Sequence, residues 1–106
     1  MAGRRAKRHR ATHQVAVGFV GPSASFTGEL VDLSKTGLLL RCAQSLEPGA
    51  LGRIGIPLGQ DTMRSMVAVR RQVPPIGLAF EFVRMSQHDR ELLHRLIKRL
   101  EMAAGT

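Results

Sequence analysis

Aromatic residues are almost missing from this sequence: four Phe, no Trp and no Tyr in 106 residues. A surface that stacks nucleic-acid bases on several aromatic rings is therefore excluded, and any stacking falls to arginine planes. Cys42 is the single cysteine. Neither an intrachain disulfide nor a Cys-rich metal site can form, which fits a reducing compartment. No apolar run approaches the roughly 18 residues that span a bilayer, and no apolar segment follows the basic start as in a signal peptide. Acidic residues are missing from the first 28 positions; Glu29 is the first. Organellar transit peptides share an Arg-rich, acid-poor start. Here, however, HQVAVGFVG (His13–Gly21) alternates like a strand. The expectation is a soluble cytoplasmic protein with no membrane insertion.

What is present is positive charge, unevenly placed. Sixteen Lys and Arg against eight Asp and Glu give a net charge of +8. Arg4, Arg5, Lys7, Arg8 and Arg10 supply five of the cations, and without those five the +8 falls to +3. A short arm so charged attracts anions, phosphates above all. Arginine forks also suit two-point contact with phosphate oxygens and with the O6/N7 edge of guanine. The length and the 43% hydrophobic content suffice for one compact domain.

Residues 1–12 show no apolar periodicity and read as an exposed, mobile arm. Residues 13–84 break into six short runs of period two. These are Val15–Phe19, Phe26–Leu33, Leu38–Cys42, Ile54–Leu58, Val67–Val73 and Ile76–Phe82, separated by GPSAS, SKTG, EPG, a Gly and Pro74-Pro75. Val67, Val69 and Val73 share one parity, with Arg71 on the same face. The pattern predicts a mainly β fold, a small six-stranded antiparallel β-barrel, since closure removes exposed edges. Residues 86–102 predict a C-terminal helix. Ser86 and Asp89 have capping-box spacing, and Leu92, Leu93, Leu96, Ile97 and Leu100 fall on one stripe. Arg95, Lys98 and Arg99 lie in the expected last turns, where cations suit the helix dipole.

Nothing in the sequence is arranged for catalysis. Ser34 has an acid two residues away but no histidine spaced to activate it, and there is no nucleophile elbow. His9, His13, His88 and His94 lack a zinc-ligand spacing. Cys42 reads as a small buried apolar residue. Without a Walker loop or GxGxxG, the chain reads as a binding module, with neither metal nor cofactor.

The stretch VDLSKTGLLL (Val31–Leu40) reads first as a hairpin. Asp and Ser satisfy local backbone groups, and Gly37 takes a positive φ. Asp32 and Ser34 also share a strand parity, so a carboxylate and a hydroxyl face one side, suited to the polar edge of a base.

Arg4 and Arg8 in RRAKR fit RxxxR, and Asp32, Ser34 and Gly37 fit [D/N]xSxxG. In that order, on a small barrel with a C-terminal helix, they resemble the PilZ domain family over almost the whole chain. GLAFEFVRMSQHDRELLHRLI is similar to that family's last strand and helix start. The resemblance implies a receptor for the second messenger cyclic di-GMP. It implies that Arg4 and Arg8 bind phosphate and the Hoogsteen edge of guanine, and that Asp32 and Ser34 contact the other guanine edge and ligand backbone. Gly37 would admit close approach. Arg5 and Arg10 lie near enough to substitute, so the register stays open between Arg4/Arg8 and Arg5/Arg10. Such a module acts in trans on a downstream effector protein, in motility, biofilm or pilus control. Two other readings stand beside it. One is a nucleic-acid binder using the basic arm, with steeply salt-dependent affinity. The other is a PilZ-like interaction module that binds no nucleotide.

Overall fold

A computed structural model describes residues 6–104. Strands β1 (His9–Arg10), β2 (Ala16–Val20), β3 (Ser25–Leu33), β4 (Gly37–Arg41), β5 (Leu51–Leu58), β6 (Asp61–Val73) and β7 (Gly77–Arg84) are followed by helix α1 (Gln87–Ala104). The antiparallel order β3-β2-β5-β6-β7-β4 is closed by pairing of β4 with β3, and β1 pairs with the last two residues of β3, beyond the stretch that pairs with β2. The six-stranded barrel and C-terminal helix expected from the sequence are both present, with β1 as a seventh strand.

Inward residues alternate as the sequence pattern requires. Val17, Leu33, Leu38, Leu40, Ile56, Met63, Val67 and Leu78 are completely buried. Phe19 stacks on Phe26 at 4.9 Å between centroids and tilts against Phe80 at 5.5 Å, so three of the four Phe make one cluster. Leu92, Leu93, Leu96 and Leu100 of α1 enter the same core, with Ile97 packed at its margin. No described helix is long and apolar enough to cross a membrane.

Four details differ from the sequence reading. His9 and Arg10 are paired with Leu33 and Asp32, and the Ala11 N–H donates to the Val31 carbonyl at 2.9 Å. The near end of the expected mobile arm is thus strand. A two-residue pairing has no periodicity to show in sequence. Arg71 does not share the inward face of Val67 and Val69. A β-bulge at Arg70 sets both Arg70 and Arg71 opposite Ala79, and both are exposed. Gly37 has no positive φ; among the described residues only Gly49 and Gly59 do. Finally, α1 runs on to Ala104, so its last turn carries no cation and Arg95, Lys98 and Arg99 stand further in.

The start of α1 is fixed as the capping spacing predicts. The Asp89 N–H donates to Ser86 Oγ at 3.0 Å, and that hydroxyl donates to Asp89 Oδ2 at 2.6 Å. Asp89 Oδ1 accepts from the Arg64 N–H at 2.9 Å, tying the helix to β6. Burial pushes the Asp89 carboxyl up, but the Ser86 hydroxyl, the Arg64 N–H and the nearby charges of His88 and Arg64 outweigh it. The carboxyl lies below its ordinary value of 3.8. A depressed acid stabilises the fold above its unfolded value and ceases to do so as pH falls through the lowered one. Thermal melts of wild type and Asp89→Asn should therefore differ most above pH 4 and converge as the pH drops well below it. Ser86→Ala should cost about 1 kcal/mol at neutral pH.

Candidate ligand-binding site

The outer face of the barrel can be read as rows running across the strands. Arg10 pairs with Asp32, Asp32 with Leu39, Leu39 with Ala79, and Ala79 with Arg71. The adjoining row, His9, Leu33, Leu38, Phe80 and Val69, contributes four of its five members to the core. The first row is the outward one. It places Arg10 and Asp32 at one end and Arg71 at the other, with a leucine and an alanine between them.

Two bulges make this row what it is. In β3, Leu30 opposes Leu40 and Asp32 opposes Leu39, so Val31 is the extra residue. In β6, Arg70 is extra. A bulge puts two side chains where a regular ladder has one. Here it sets two neighbouring arginines on the same outer patch. Among the described residues, neither has a carboxylate within ion-pair distance.

The cleft over this patch has a volume of about 600 Å³. Gly37, Leu39 and Ala79 form its floor, and Arg8, Asp32, Arg70, Arg71 and Glu81 stand around them. Arg8 Nε donates to Asp32 Oδ1 at 2.7 Å, with the side chains 46% and 18% exposed. An ion pair this wet is worth about 0.2–1 kcal/mol. It positions Arg8 over the patch without committing it there.

The turn beneath the cleft is built by Ser34, which is fully buried. Its N–H donates to the Gly37 carbonyl at 2.9 Å. Its Oγ accepts from the N–H groups of Thr36 and Gly37, both at 3.2 Å. The hydroxyl thus stands in for a backbone carbonyl in closing the β3–β4 turn. Gly37 is needed for space: a Cβ there would meet the Phe80 carbonyl oxygen on β7.

Of the residues singled out from sequence, Arg8, Asp32 and Gly37 meet in one cleft. Ser34 lies below it with its hydroxyl engaged in the turn. Arg4 and Arg5 lie outside the described residues. Arg70, Arg71, Leu39, Ala79 and Glu81 were missed. The signal for the first two was a pair of adjacent cations inside an apolar strand, VAVRRQV.

A closed barrel with a cationic patch on its outer wall defines a small ligand-binding module. The chain matches the PilZ domain family over residues 3–99 and belongs to it. Solved structures agree on the fold. The PilZ domain of CeSA from a cellulose-synthesizing bacterium is similar at a TM-score of 0.71 and 20% identity, over 88% of this chain and 98% of that one. The PilZ domain of YcgR from Escherichia coli, solved with c-di-GMP, gives 0.72 and 24%, over 96% and 94%. The Bacillus subtilis inhibitor of motility MotI/DgrA gives 0.73 and 17%; this chain is covered to 94% and spans 52% of that one. No curated protein matches.

Ser34→Ala would take the acceptor from the Thr36 N–H and from the buried Gly37 N–H, and should cost about 1–3 kcal/mol in urea denaturation. Gly37→Ala must part β4 from β7 and should cost a similar amount, about 1–3 kcal/mol.

Proposed function

We propose that this chain is a cytoplasmic receptor for cyclic di-GMP that acts on a partner protein. The observation carrying this reading is the outward row Asp32–Leu39–Ala79–Arg71, with Arg8 held over one end and Arg70 beside the other. The ligand has two phosphates and two guanines. Guanidinium groups match both phosphate oxygens and the O6/N7 edge of guanine. A carboxylate matches the complementary donor edge. The low floor of Gly37, Leu39 and Ala79 leaves room for a flat base, and the cleft volume falls in the range of small-molecule sites.

The ligand exchanges partners with the protein. A phosphate draws Arg8 from Asp32, since an arginine–phosphate fork exceeds a wet single-point pair. Asp32 is then free to accept from guanine. Arg70 and Arg71, neighbours of like charge, gain most from an anion between them. The contact of Arg8 with Asp32 supports Arg4/Arg8 as the motif pair, with Arg5 as its neighbour. Arg4 then closes over the ligand as the arm orders, at an entropy cost offset by charge-assisted hydrogen bonds. Ser34 contributes by holding the turn and Gly37 by leaving the floor open. The ordered arm is the change that a partner reads.

Isothermal titration of cyclic di-GMP should show wild-type binding at about 10 μM or tighter, near −7 kcal/mol. Arg8→Ala, Arg71→Ala and Asp32→Ala should each weaken it by about tenfold or more, roughly 1.4 kcal/mol. The loss for Asp32→Ala separates this site from a general attraction for polyanions, which removal of a carboxylate would strengthen. Absence of wild-type binding at tens of micromolar overturns the proposal; undiminished binding in all three variants overturns the residue assignment.

A further inference from the structure

The N-terminal segment has two faces. Arg8 and Arg10 face the platform with Asp32. Lys7 and His9 look the other way and line a groove against α1. Its walls come from three separate parts of the chain: Lys7 and His9 from the arm, Lys35 from the β3–β4 turn, and His94, Lys98 and Glu101 from α1, with Ile97 among them. Three lysines and two imidazoles thus converge with one carboxylate. Among the described residues, no carboxylate lies within ion-pair distance of Lys7, Lys35 or Lys98.

We propose that this groove is a docking site for an acidic segment of a partner protein. Its charge is opposite to such a segment. Its volume, about 210 Å³, is some seven times the share of a water molecule in the liquid, about 30 Å³. That admits one or two carboxylate side chains and is small for a nucleotide. Its lining holds no Phe, Tyr or Trp ring. Half-buried Ile97 offers an apolar contact to the methylenes of a Glu or to a neighbouring aliphatic residue. Glu101 on the rim disfavours a uniformly charged polyphosphate and suits a peptide with mixed side chains. Lys35 is held at the groove by the Ser34-closed turn, and His94 and Lys98 project from successive turns of a helix anchored by four buried leucines. The groove stands whether or not the platform binds a nucleotide.

The test is fluorescence anisotropy of a labelled peptide of alternating Glu and Leu, titrated with the full chain. A double variant, Lys35→Glu with Lys98→Glu, removes groove charge. A second, Arg70→Glu with Arg71→Glu, makes the same change in net charge on the platform. The proposal expects saturable binding, a loss of at least about tenfold in the groove variant, and less than about threefold in the platform variant. Circular dichroism should show both variants folded, since all four side chains are exposed. Equal losses in the two variants, or no saturable binding by wild type, overturns it.

Discussion

Everything functional in this barrel depends on how β3 is returned to β4. That pairing closes the barrel, and its turn is made by a side chain. Ser34 Oγ accepts from the Thr36 N–H and from the buried Gly37 N–H. Closure brings Gly37 so near the Phe80 carbonyl that no side chain fits between them. Close approach of β4 and β7 keeps Leu39 and Ala79 adjacent and the floor low. The serine and glycine of the motif therefore act as architecture in this structure, while the aspartate at its start lines the cleft.

The bulges at Val31 and Arg70 are the second determinant. A regular ladder would alternate every strand residue between core and solvent. One additional residue in β3 and one in β6 shift the phase without opening the barrel, because strand pairing continues on either side of each. Val69 still meets Phe80, and Leu30 still meets Leu40. The cost is two irregular places in the ladder. The gain is a concentration of charged groups on one outer patch. Val83 in β7 is a third such place, where buried Ser65 lies within hydrogen-bond distance of the Met66 and Arg84 carbonyls.

Much of this was legible in the sequence. Alternation such as Ile76, Leu78, Phe80 and Phe82 marks a half-buried strand, and the Ser86–Asp89 spacing marks the helix start. Arg8, Asp32 and Gly37 were found by motif and meet in space. What was hidden depends on cross-strand register. The parity of Arg71 cannot be counted through a bulge that only β7 reveals. His9 and Arg10 become a strand because β3 offers them an edge, not because of their own pattern. Gly37 is demanded by the backbone of β7, which a local reading of the turn does not contain. Lys35, His94 and Lys98 are dispersed in sequence, and only folding gathers them.

The brevity of β1 has one more consequence. Two paired residues and one additional hydrogen bond from Ala11 hold the segment to β3, far too little to fix its position by backbone alone. Its occupancy is set by what its side chains touch, with Arg8 on one face and Lys7 and His9 on the other. Two binding events that both draw on the same marginal segment are thermodynamically linked. Whatever stabilises the segment from one side tightens binding on the other by the same factor, and the relation is reciprocal. The smallest strand of the fold is thus the place where its two faces share one equilibrium.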